Sequence, residues 1–113
     1  MTTIHVFELL GTPNAILHPF GMQVYQAAKQ VLETQEMVII DLNGIKNATS
    51  AFFHASIGNL FRDLGSEFSV RVKVAGIEKR PDWQERINDS IELVKNPKRQ
   101  TETQLEVAAL FED

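Results

Sequence analysis

No cysteine occurs among the 113 residues. That absence excludes disulfides, thiolate nucleophiles and every zinc site with a sulfur ligand. It suits a reducing compartment, because small secreted domains normally lean on cross-links, and the expected location is cytoplasmic. Long hydrophobic runs are missing too: nothing approaches the roughly 20 apolar residues that cross a bilayer. The opening Met1-Thr2-Thr3-Ile4-His5 lacks the basic-then-apolar order of an export signal, so neither membrane association nor processing is expected. Positive charge is scarce, with 11 Lys and Arg against 15 Asp and Glu and a formal net charge of −4. A nucleic-acid-binding domain normally shows a clustered basic face, and no nucleic-acid partner is expected.

Glycine is sparse, with 6 residues. They form neither the spaced triplet of a dinucleotide fold nor a Gly-rich loop ending in Lys-Ser/Thr, which removes the usual phosphate cradles. His5, His18 and His54 stand in separate segments, without the four-residue spacing that offers two imidazoles to one metal. Glu33, Glu36, Asp63 and Glu67 show no spacing that selects an acid and base pair. The expectation is a protein without cofactor or metal that is not an enzyme.

What is present is an ordinary core-forming composition. Hydrophobic residues make up 43% and charged residues 23%, proportions of a globular chain, and the length allows one core. Ile4 to Leu10 alternate loosely, Gly11-Thr12-Pro13-Asn14 supply turn chemistry, and Ala15-Ile16-Leu17 follow; this reads as an N-terminal β-hairpin. Phe20, Val24, Ala27, Ala28, Val31 and Leu32 then recur at helical spacing to about Glu33. Met37-Val38-Ile39-Ile40 is a short, β-branched apolar run that predicts a central strand covered on both faces.

After a polar loop from Asp41 to Asn47, Phe53, Ile57, Leu60, Phe61 and Leu64 mark a second amphipathic helix stopped by Gly65. Val70 to Val74 alternate valine with Arg71 and Lys73, predicting a strand near a sheet edge. Pro81-Asp82 open a third helix with Trp83, Ile87, Ile91 and Val94 on one face, ended by Asn96-Pro97. Residues 1–97 form the expected domain. Residues 98–113 form a tail whose Leu105, Val107, Leu110 and Phe111 allow a short amphipathic helix. Alternating helices and strands argue for an α/β fold with a mixed, mostly parallel sheet flanked by helices.

Several residues carry two readings at this stage. Asp41 ends the most apolar strand, where open α/β sheets place functional groups, yet it equally suits capping the amides of Leu42 to Gly44. Thr49 and Ser50 precede the second helix: either can be its N-cap, and a phosphate on either would meet the amide-rich, positive helix start. Gly58 inside that helix costs about 1 kcal/mol against alanine, which a tightly packed neighbour or a partner surface would explain. The cations Lys79, Arg80, Lys95, Lys98 and Arg99 read as solvated charges.

The middle of the chain resembles a known family. The stretches Val38-Ile39-Ile40-Asp41-Leu42-Asn43-Gly44-Ile45, Ala48-Thr49-Ser50-Ala51-Phe52 and Ile57-Gly58-Asn59-Leu60 are similar to the STAS superfamily, and closer to its STAS-like branch of bacterial domains. The likeness spans residues 20–95 and implies a STAS-like fold. In anti-sigma-antagonist members it implies a serine at the start of this helix, here Ser50, that a histidine-kinase-like ATPase phosphorylates to switch partners. Those members carry Asp directly before the serine, where this chain has Thr49.

Two functions follow as expectations. One is a signalling module that binds a protein partner, such as that ATPase, through Asp41, Asn43, Gly44, Asn47, His54 and Gly58, with Ser50 or Thr49 as the modified residue. The alternative is a small-ligand or nucleotide sensor, or an enzyme subunit, with a pocket at the sheet's carboxyl edge beside Asp41. Self-association through the valine strand or the terminal helix is a third possibility.

Overall fold

A computed structural model describes residues 2–95 of the chain, so the tail at 98–113 lies outside the described residues. In chain order the elements are β1 (Thr2–His5), α1 (Val6–Leu10), β2 (Asn14–Ala15), α2 (His18–Thr34), β3 (Val38–Asp41) and β4 (Asn47–Ala48). Then come α3 (Ser50–Phe53), a π-helical turn (His54–Gly58), α4 (Asn59–Leu64), a 3-10 turn (Gly65–Glu67), α5 (Phe68–Arg71), β5 (Val72–Ala75) and α6 (Pro81–Lys95). Among the described residues no helix is long and apolar enough to cross a membrane.

The main sheet has the order β1-β3-β5 and is parallel throughout. Both crossovers step in the same direction, and right-handed connections then lay α2 and the α3–α4 segment on one face, where α2 packs along the π-helical turn. The register makes the two faces explicit. Val38 pairs with Thr2 and Val72, and Ile40 with Ile4 and Val74; these side chains face the helices, and Ile4, Val38, Ile40 and Val72 are buried.

The alternate rows, Thr3-Ile39-Lys73 and His5-Asp41-Ala75, face the other way. Thr3, His5 and Lys73 there are exposed and Ile39 is half-buried. The expectation that β3 is covered on both faces is therefore corrected among the described residues. It is the central strand of a sheet buried on one side, and the apolar run owes its continuity to one residue, Ile39. β5 does lie at the sheet edge, and its valines, Val72 buried and Val74 half-buried, face the helices.

The N-terminal hairpin is also corrected. Val6 and Leu10 are four apart and turn inward on a helix, while Phe7 and Leu9 stay exposed. Gly11 is not a hairpin turn: it takes the left-handed conformation (φ 70°) as the cap of α1, its N–H reaching the Phe7 carbonyl at 2.9 Å. β1 pairs with β3 instead, and β2 pairs in parallel with β4. The strand expected from Val70 begins at Val72, because Val70 and Arg71 close α5. Arg71 spends its guanidinium on the carbonyls of Leu32, Gln35 and Glu36 at 3.0–3.2 Å, supplying the cation that the last turn of α2 lacks.

The helices form a layer of their own. Trp83 of α6 reaches Phe53 with ring centroids 6.5 Å apart, and Phe52, Ile57 and Leu60 complete the packing. Burial of this set supplies the main driving force, at about 1.5–3 kcal/mol for each large side chain.

Candidate functional site

Asp41 is the last residue of the central strand, and both of its carboxylate oxygens are engaged. Oδ1 accepts from the Asn43 backbone N–H at 2.9 Å and from Asn43 Nδ2 at 2.7 Å; Oδ2 lies 3.0 Å from His5 Nδ1 on the neighbouring strand. Burial by itself pushes the Asp41 carboxyl up, but the Asn43 and His5 hydrogen bonds outweigh it and hold the group below the usual carboxylate range. The result is an Asx-type turn that shapes the loop, and of Asp41's two readings the local geometry carries the capping one.

The loop is held from beneath. Leu42 and Ile45 are buried anchors, and the Leu42 N–H bonds the Ala75 carbonyl at 2.9 Å. Gly76 (φ 85°) passes so near that a Cβ on it would sit 2.7 Å from the Asn43 nitrogen. Gly44 (φ 93°) lies against Phe7, whose Cγ would be 3.2 Å from an added Cβ. Three predicted residues, Asp41, Asn43 and Gly44, thus form one unit with His5 and Phe7 from the N-terminal elements.

A second group forms at the start of the helix. Asn47 donates through Nδ2 to Asn14 Oδ1 at 2.7 Å, bracing β4 against β2. Thr49 is the N-cap of α3: its hydroxyl accepts from the Phe52 N–H at 3.2 Å and donates to the Ile16 carbonyl at 3.0 Å. With its proton given away and the group half-buried, Thr49 is a structural residue. Ser50, the first helical residue, is exposed.

His54 opens the π-helical turn and faces α6, with Nδ1 2.8 Å from Ser90 Oγ. Ser90 is fully buried and bonds the Arg86 carbonyl at 3.0 Å; when its single proton goes there, His54 Nδ1 is the donor to Ser90. Burial lowers the His54 pKa, with the Asp89 charge opposing, so the ring favours its neutral form. Gly58 is corrected as a partner contact because it is buried; a Cβ on it would meet Ser90 and the Phe53 carbonyl at an ordinary 3.9 Å, so neither a partner surface nor close packing accounts for the glycine.

Two arginines bind in ways that escaped the sequence reading: Arg80, expected as a solvated charge, just before α6, and Arg86 within that helix. Arg80 donates to the Lys46 carbonyl at 2.9 Å, pairs with Asp82 at 3.1–3.2 Å and stacks 4.0 Å over the Trp83 ring. Arg86 donates to the Ala48 carbonyl. The two guanidinium groups therefore hold β4 from either side of Asn47, immediately before Thr49 and Ser50. The available signal was that Arg86 shares a helical stripe with Trp83 and Ser90, an unusual place for a cation with nothing to bind. Three surface grooves, lined chiefly by α2, by α2 with α4, and by residues around Met37 and Val70, do not include Asp41.

A family model described as "STAS-like domain of unknown function (DUF4325)" matches residues 21–80, more than half of the chain. The span runs from Gly21 of α2 through the Asp41 loop and the Ser50 helix to Arg80. No curated protein and no solved structure matches the chain.

Proposed function

This chain belongs to the family of STAS-like domains of unknown function, and we propose that it works as a non-catalytic interaction module, controlled by phosphorylation of Ser50. The observation that carries the reading is the division of labour between adjacent hydroxyls. Thr49 is committed to capping, while Ser50 stands exposed at the amino end of a helix. A phosphate on Ser50 would gain from the helix dipole and the first-turn amides, and it would place new charge beside the Asn47 loop. The contact surface comprises Asn43, Gly44, Asn47, Ser50 and the exposed edge of His54. The partner class is a histidine-kinase-like ATPase, by likeness to the anti-sigma antagonists.

The test is intact-mass measurement after incubation with an ATPase of that class and Mg-ATP. The wild type gains the mass of one phosphoryl group, Thr49→Val retains the gain and Ser50→Ala loses it. An unmodified wild type, or a gain that survives Ser50→Ala, would reject Ser50 as the switch.

A further inference from the structure

The face of α2 opposite the one that buries Gly21, Val24 and Ala28 carries a groove of about 640 Å³. It runs from Leu9 of α1 past Pro19 and Met22 to Gln26 and Gln30. Leu9 and the adjoining Ile16 and Leu17 are 41%, 45% and 52% exposed, so the apolar surface continues past the helix start. Among the described residues no Asp, Glu, Lys or Arg lines this groove, and His18 is its one titratable group, whereas the other two described grooves hold Lys29, Glu33 and Asp63, or Glu36, Glu67 and Arg71.

We infer that this surface is the contact between two copies of the chain, with α2 packing antiparallel on α2 of its partner about a two-fold axis near Gln26. A two-fold contact sets a patch against itself, which suits groups able to pair with their own kind. Glutamine amides both donate and accept, and leucine and methionine side chains pack on one another, whereas like charges repel. On a molecule with net charge −4, an uncharged strip is where two copies approach at least cost.

Charge complementarity selects the antiparallel direction. Among the described residues the amino end of α2 has no side-chain cap and no acidic residue in its first turn, which leaves its positive end without a compensating charge there. Gln23, Gln26, Gln30 and the exposed Glu33 follow one another along the outer face of the helix. With Gln26 on the axis, Gln30 meets the partner's Met22, and Glu33 arrives at the amino end of the partner's α2. Each helix thereby receives the carboxylate that its own first turn lacks. The contact involves neither Ser50 nor the Asp41 loop, and it stands whether or not Ser50 is modified.

Sedimentation velocity of the full chain over a concentration series tests this. The wild type is expected to dimerise. Gln26→Glu and Gln26→Lys each set like charges together on the axis and weaken the dimer at least about tenfold, while an equimolar mixture of the two restores it. Gln26 is exposed, and circular dichroism should confirm that both variants fold. Val70→Glu, at a solvent-facing site of α5, should leave the dimer intact. A wild type that stays monomeric at the highest attainable concentration overturns the inference. So do Gln26 variants that dimerise like wild type, a mixture that remains monomeric, or dissociation by Val70→Glu.

Discussion

Gly21 of α2 crosses the start of the neighbouring helix so closely that a Cβ on it would lie 2.6 Å from the Ala55 methyl carbon, and closer still to the Phe52 carbonyl oxygen. One of these neighbours is backbone and cannot swing aside. Gly21→Ala should therefore destabilise the fold by about 1–3 kcal/mol, the usual cost of overpacking, despite alanine's better helix propensity of about 1 kcal/mol. Urea unfolding measures it; an unchanged or raised midpoint would show that the helices can part cheaply.

Arg71 ties α5 to three carbonyls at the carboxyl end of α2. Arg71→Ala should cost about 1–3 kcal/mol, the range for losing hydrogen bonds to a charged group; the bond to the Leu32 carbonyl is part-buried and the other two are exposed. Protection of the amides in the last turn of α2 should fall in hydrogen exchange. Equal protection in both proteins would mean that water replaces the guanidinium without loss.

The adjacent hydroxyls should behave oppositely. Thr49→Val removes the cap and the bond to the Ile16 carbonyl and should cost about 1–2 kcal/mol. Ser50→Ala, at an exposed position, should stay within about 0.5 kcal/mol of wild type. Equilibrium unfolding of the two variants separates the structural hydroxyl from the available one, and equal losses would contradict the assignment.

His54 has a lowered pKa, caused first by burial and opposed by Asp89. A group whose folded pKa lies below its unfolded value contributes stability above the unfolded value, 6.5 for histidine, and that contribution fades as pH falls through the folded value. Asp41, also lowered, acts in the same sense as pH falls below the ordinary aspartate value of 3.8. Acidification should thus weaken the protein in two stages, and His54→Gln should remove the first of them. Denaturation midpoints at a series of pH values, with the His54 ring followed by NMR, provide the check; a flat profile between neutral pH and 5 in wild type would refute it.

The readable parts of this chain are those governed by near neighbours. α2 and α6 follow from a helical repeat of apolar residues, Pro81 marks an actual start, and Thr49 is the cap its position suggested. β3 is legible as a middle strand because Val38-Ile39-Ile40 fits little else. The N-terminal segment misleads because Val6, Phe7, Leu9 and Leu10 satisfy a strand and a short helix alike. Gly11 serves a helix cap or a hairpin equally well, and the choice is made by pairing of β1 with the distant β3. The open sheet face was hidden because the polarity of Thr3, His5 and Lys73 is spread over three separate segments. The arginine bonds were illegible for a related reason: Arg71, Arg80 and Arg86 serve carbonyls more than 30 residues away in the chain, and a carbonyl leaves no trace in residue type. Within the candidate site, Asp41, Asn43 and Gly44 could be grouped from the sequence, whereas the burial of Gly58 depended on where α6 lies.

The π-helical turn at His54–Gly58 amounts to one surplus residue threaded into a spiral that otherwise closes every fourth bond. Because each residue advances an α-helix by about 100°, the surplus sets the phase between Ser50 at one end and Leu60 at the other. Excising a single residue there would keep the hydrophobicity and length almost intact while swinging Ser50 round the helix axis by roughly that angle, so the compass heading of the Ser50 hydroxyl is written four to eight positions downstream of it.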